Sequence, residues 1–365
     1  FLYFIERGRT RLTMNSGRGV AAMFTAVMLL AGIAAATLPR PSPRAGAPAS
    51  RNMNAATIAG VLNVQSYGAV GNGVFDDTTF IQSALNQLEP GWTLLFPPGT
   101  YLATELRIPD VANITLAGTQ GDGSNHGSVL KLPPTSATAT GQAPRFLLAA
   151  EGFSTSQNWT GSPVFITDLA FEGPSDLVRN ASAYPAAIGG VVLMNWRSRV
   201  ARCVFSGFAG KAGLVIAAAN INGHPIHTTQ VNSRFTENTF SDNLENGFMI
   251  LDPRRNANTD YFLSNNFAYR NGAYGFALET TAGGLVEGNH LYSNVKGDMW
   301  CGIGSKALRL VHNYLEGPIG LIVETINPGA AVMLANNFFE GYASVTANDG
   351  NSTLVSTANV FSNPC

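Results

Sequence analysis

The sequence predicts an all-β chain wound into a single-stranded parallel β-helix, closed at its N-terminal end by one capping helix. Three observations lead there. Charged residues make up only 12% of the 365, while glycine is abundant at 39, a balance that suits strands and tight turns over helices. The second half repeats an Asn-x-aromatic or Asn-x-Leu unit. One amphipathic helical pattern stands near the start of the folded part, where a stack of strands would otherwise expose an open edge.

The first fifty residues stand apart. "VAAMFTAVMLLAGIAAA", Val20 to Ala36, is a 17-residue apolar run preceded by Arg18 and followed by small residues. That is the layout of a secretory signal; a single membrane anchor is the rival reading, at the short limit for crossing a bilayer. "PRPSPRAGAPAS" then reads as a disordered linker. The expected division is a signal and linker over 1–49 and the β-helix domain over 50–365, the mature protein being secreted or periplasmic and free of the membrane once the signal is cleaved. The first 49 residues hold six of the 22 basic side chains and one of the 23 acidic ones, which leaves 16 against 22 and a net charge of −6. A nucleic-acid partner is disfavoured for want of a basic footprint. Three cysteines, Cys203, Cys301 and Cys365, lack any metal-ligand spacing.

In "YGAVGNGVFDDTTFIQSAL" the apolar positions Phe80, Ile81, Ala84, Leu85 and Leu88 recur at helical spacing. Asp76 or Asp77 is expected to cap that helix, because a carboxylate satisfies free N–H groups at a helix start. Downstream, the repeat is marked by Asn238, Asn265, Asn289, Asn313, Asn337 and Asn359, at steps of 27, 24, 24, 24 and 22 residues. A period in the low twenties signals a solenoid. Stacked asparagine amides at a bend would bond one another and the turn backbone. The residues two places on (Phe240, Phe267, Leu291, Leu315, Phe339, Phe361) are expected to stack inside.

"NVQSYGAVGNGVFDDTTFIQSALNQ" and "TLLFPPGTYLATELRIPDVANITLAGTQGDG" together resemble the N-terminal segment of pectate-lyase-like β-helix proteins, shared by polygalacturonases, some β-glucanases, alginate epimerases and phage tailspikes. The resemblance covers residues 63–122 closely. It implies a right-handed helix and a polysaccharide partner held along one sheet. The family's catalytic motifs are incomplete here. Asn258–Asp260 reads Asn-Thr-Asp, with no paired aspartates, Gly-His-Gly or Arg-x-Lys downstream. Asp252-Pro253-Arg254 stands where the epimerases carry Asp-Pro-His.

Aligning coils on Gly190, Gly213, Gly247, Gly275, Gly297 and Gly320 places Met194, Ala217, Leu251, Glu279, Cys301 and Glu324 in one column. Alternation along a strand turns that column outward. Glu279 and Glu324, two coils apart, then have backbones about 10 Å apart, compatible with the acid and base of an inverting glycosidase. Asp252 is a third catalytic candidate. Arg254, Arg255, Lys296 and Asp298 are expected to bind substrate, and Asp252 with Asp260 to hold calcium if a cofactor is used. Met249, Ala277, Met299 and Ile322 are expected on the outer face, and Trp300 inside. The function expected is cleavage of glycosidic bonds by a hydrolase or lyase. The alternatives are a uronan epimerase and a non-catalytic carbohydrate-binding or adhesin module.

Overall fold

The computed structural model describes residues 60–121, 127–134, 144–154, 161–177, 181–225, 230–252, 257–280, 282–303, 305–326, 331–347 and 353–362. The expected signal and linker, Cys365, and the arginines 254 and 255 lie outside these. Among the described residues no helix is long and apolar enough to cross a membrane.

Each coil but the first and last contributes one described strand to each of three parallel sheets. Sheet A stacks 11 strands, from Val61–Asn63 to Thr353–Thr357; sheet B stacks 11, from Asn72–Asp76 to Val360–Phe361; sheet C stacks nine, from Leu106–Ile108 to Tyr342–Ala347. The chain visits A, B and C in turn, always pairing with the coil before and the coil after. The result is a right-handed parallel β-helix.

The interior is a dry column of side chains in register. Phe171, Phe205 and Phe240 stack with ring centroids 5.1 and 5.2 Å apart, the spacing that successive coils impose. Ala268, Leu291, Leu315 and Phe339 continue the same position on sheet B, and all are buried.

The corner between sheets A and B explains the repeat. Asn238, Asn266, Asn289, Asn313, Asn337 and Asn359 form a ladder in which each amide Nδ2 donates to the next Oδ1 at 2.9–3.1 Å. Each Oδ1 also accepts the backbone N–H of the asparagine below. Buried amides without such partners would cost about 1–3 kcal/mol each, so the ladder makes a sharp dry corner tolerable. The residue before each asparagine is left-handed: Glu237, Asn265, His312, Asn336 and Ala358 have φ between 51° and 58°, and Gly288 65°. This corrects one position of the repeat. Asn265 is the left-handed residue and Asn266 the ladder member, so Ala268 points inside and Phe267 is exposed. The double asparagine at 265–266 hides that shift from the spacing alone.

Helix α1, Thr78–Leu85, closes the N-terminal end and buries Ile81, Ala84 and Leu85 against the first coils. The two aspartates before it divide the work. Asp76 Oδ1 accepts from the N–H and hydroxyl of Thr78 at 3.0 and 2.5 Å. Asp77 occupies the N-cap position without a side-chain cap bond. It is fully buried and its carboxylate instead accepts the N–H groups of Val70 and Gly71 at 2.6 and 3.1 Å, tying down the glycine bend.

Candidate active site

The outer face of sheet C is where carboxyls and aromatics converge. Its register aligns Leu278, Cys301 and Val323 on successive coils, all turned into the core. One residue further on come Glu279, Gly302 and Glu324, turned outward by the pleat. The expected column therefore exists, with Glu279 and Glu324 two coils apart and backbones about 10 Å apart, but Gly302 stands between them in place of Cys301. Cys203 and Cys301 are buried free thiols.

That one-residue change has a local cause. Gly297 pairs with Tyr274, not with Gly275, and Asp298 falls in the glycine column. Counted from the inner asparagines 271 and 294, Gly275 and Asp298 are both four residues on; the glycine was the wrong anchor. Met299 consequently points into the core, and Trp300 points out. Trp300 stacks on Tyr274 with centroids 5.8 Å apart and planes 16° off parallel. Both rest partly exposed against an apolar layer of Val192, Val215, Met249 and Ala277 on the outer face. Ile322 follows Trp300 in that row.

Gly302 is what lets the indole lie there. A Cβ on it would fall 2.9–3.0 Å from the Trp300 ring and 2.3 Å from the Glu279 carbonyl oxygen. The ring thus lies against Gly302, the residue that stands between the two glutamates in the column.

Glu279 is half-buried, and its Oε2 is shielded from solvent with no hydrogen-bond partner. Burial holds its carboxyl above the ordinary range. The Asp252 N–H, which donates to it, and the distant Lys211 pull the value down; the Asp252 carboxylate pushes it up. Glu324 sits near enough to Tyr274 that its charge, after burial, helps raise the phenol.

The remaining expected residues divide. Asp252 is 1% exposed, and its Oδ2 accepts the N–H groups of Ala257 and Asn258 at 2.6 and 3.0 Å. It anchors the chain beyond the strand and flanks Glu279, so it is a positioning residue. Asp260, its expected calcium partner, is exposed in a left-handed corner, and among the described residues no group of three His, Cys, Asp or Glu is placed to hold a metal. Lys296 is exposed at the start of its sheet C strand. Asp298 is fully buried, so it cannot touch a polymer on the outer face. Its Oδ1 accepts Asn294 Nδ2 at 2.9 Å and its Oδ2 the Gly317 N–H at 2.6 Å. It completes a second ladder, Asn243–Asn271–Asn294, and burial raises its carboxyl to about 7. Sequence reasoning missed Gly302 and the outward Trp300; counting from Asn294 would have found both.

This fold, with a shelf of aromatics and carboxyls on one sheet, places the chain among the pectate-lyase-like right-handed β-helices. The chain belongs to the rhamnogalacturonase A/epimerase, pectate lyase-like family, whose model matches residues 61–297. A comparison with curated proteins finds no match. Among solved structures, the chain is similar to tailspike protein 2 of bacteriophage CBA120, its enzymatically active domain (TM-score 0.56, 14% identity, 84% of this chain and 43% of that one). It is also similar to ORF18 of Geobacillus virus E2 (0.51, 16%, 84% and 62%) and to tailspike gp49 of Acinetobacter baumannii bacteriophage Fri1, a capsular polysaccharide depolymerase (0.50, 12%, 84% and 52%). The chain thus spans less than two thirds of each of these structures. At such identities the likeness is one of fold.

Proposed function

We propose that the protein is a secreted polysaccharide-active enzyme that hydrolyses glycosidic bonds on the outer face of sheet C. The observation that carries this is the in-register pair Glu279 and Glu324 on either side of Gly302, against which Trp300 lies. Glu279 is the general acid: its burial keeps the proton on at pH values where an exposed glutamate has lost it. Glu324 is the base that takes a proton from the attacking water. Backbones about 10 Å apart leave room for that water and favour inversion at the anomeric carbon. Trp300 and Tyr274 offer an apolar face on which a sugar ring can lie. The family membership supports a carbohydrate substrate, and the apolar run Val20–Ala36 supports export.

The test is incubation with a panel of neutral and uronic glycans, following reducing ends and the absorbance of unsaturated products. Reducing ends without unsaturated product are expected, and Glu279→Gln or Glu324→Gln should each lower kcat by about 10²–10⁴. Retention of activity by both variants would overturn the site. Silence on every glycan with retention on a glycan column would favour a binding module, the reading that the aromatic shelf alone would support.

A further inference from the structure

The outer face of sheet B carries a trough of its own, on a different wall of the column from the glutamates of sheet C. We infer that this trough is a second, non-catalytic binding site for a polysaccharide chain, an inference that rests on the carbohydrate-active reading above. Its floor is one column of outward residues on successive coils, Val129, Ala170, Val204 and Thr239, and the column then reaches Phe267. Small side chains thus run for four coil spacings, about 19 Å, before an aromatic ring ends them. The first three line a cleft of about 200 Å³. The Thr119–Gly121 segment lines the same cleft, held by Thr119 N–H donating to Ser128 Oγ at 2.9 Å and Ser128 N–H to Thr119 O at 2.8 Å.

Two ion pairs rim the trough. On the side of sheet A, Arg202 donates to Asp168 through Nε and Nη2 at 2.7 and 2.8 Å, from left-handed corners with φ of 54° and 58°. On the other side, Lys131 Nζ donates to Glu172 Oε2 at 2.8 Å. Asp168 and Glu172 stand four residues apart, at most about 13 Å at the strand rise, which admits a sugar ring and its hydroxyls. Arg202 Nη1 and Glu172 Oε1 take no partner among the described residues. They supply the donors and the acceptor that sugar hydroxyls need, and Ala170 and Val204 meet the C–H face of the ring, the usual division of labour in a small-ligand site. At the far end Phe267 is 47% exposed and tilted 54° from His290, an apolar rest for a further sugar. A protein partner fits less well: a strip of about 13 by 19 Å falls short of the roughly 800 Å² that each side of a stable protein interface buries.

The experiment uses the full chain carrying Glu279→Gln and Glu324→Gln, so that probes are not consumed. It is titrated by calorimetry with gluco-, manno-, rhamno- and galacturono-oligosaccharides, with and without Ala170→Tyr, which fills the cleft floor. The expected result is at least one glycan bound at a site whose affinity falls tenfold or more with Ala170→Tyr, the urea midpoint holding. Ala170→Tyr in the otherwise native chain should keep its kcat on short oligosaccharides. If that variant shifts the midpoint, Glu172→Gln and Phe267→Ala, both with solvent-accessible side chains, carry the test and should each weaken binding several-fold. Binding and turnover that both survive these changes would overturn the trough and leave the sheet C site standing. Binding that they remove, in a chain that turns over no glycan, would uphold the trough and overturn the catalytic reading. No binding of any probe would overturn the trough, and no turnover besides would overturn the proposed function with it.

Discussion

Two acids on neighbouring coils, at opposite edges of sheet C, show how this fold separates structure from chemistry. Asp298 is fully buried and Glu279 half-buried, and burial raises both carboxyls. Asp298 has a donor on each oxygen, Asn294 and Gly317. Glu279 has one oxygen without any. A buried polar group that is fully partnered belongs to the frame; one left unpartnered does not. The asparagine ladder is the same contrast at larger scale, every amide engaged and all but Asn359 buried.

The sharpest way to break this contrast is to exchange the penalties. Asn289→Leu removes the acceptor of Asn266 N–H and Nδ2 and the donor to Leu263 O and Asn313 Oδ1. It should lose about 2–5 kcal/mol in urea denaturation. Glu279→Gln should leave that midpoint in place while removing turnover. A destabilised Glu279→Gln would place the glutamate in the frame after all.

Asp298 gives the next effect. Its folded value of about 7 lies above that of an unfolded aspartate. The stability it contributes is therefore full below about pH 4 and lost as pH rises through 7, at up to about 1.4 kcal/mol per pH unit. Asp298→Asn should flatten that slope in a series of denaturation curves. An unchanged slope would show that the carboxyl is not desolvated.

A smaller effect tests the shelf. Gly302→Ala sets a methyl against the Glu279 carbonyl oxygen and the indole, so the backbone beside the acid must shift; KM should rise several-fold with a shift in tryptophan emission, and kcat should fall with it. The smallest tunes the acid. The basic limb of the pH–rate profile should follow Glu279, because the acid must enter the reaction protonated. Asp252→Asn removes a charge that raises its value and should move that limb to lower pH. Lys211→Met removes one that lowers it and should move the limb to higher pH. Movement in one common direction would assign the limb to another group.

Much of the column was legible because its rules are periodic. The asparagine spacing announced the corner, the Phe80–Leu88 pattern announced the capping helix, and counting along strands placed Glu279 and Glu324 on one outer column. What escaped was local. Asn265 and Asn266 differ only in which one takes the left-handed corner, and composition is blind to that. Glycine at 297 satisfies a φ of 146°, a need unrelated to the glycine column, so aligning on it shifted one coil by a residue and reversed Met299, Trp300 and Cys301. Alternation also fails where Gly275 and Phe276 both face inward. Asp298 looked like a surface acid because nothing in its neighbours reveals that a ladder ends beside it.

From Asn238 onward, the corner between sheets A and B is two residues long and holds a left-handed residue followed by a ladder asparagine. The connections from sheet C back to sheet A obey no such constraint: after sheet C strands that end at Ala217, Leu251, Leu278 and Cys301, sheet A resumes at Arg234, Phe262, Leu285 and Leu308, with 16, 10, 6 and 6 residues between. Specificity in this scaffold is therefore modular. Segments beside Trp300 can be lengthened, shortened or transplanted from another coil protein, while the asparagine corners of those coils keep the two glutamates in step.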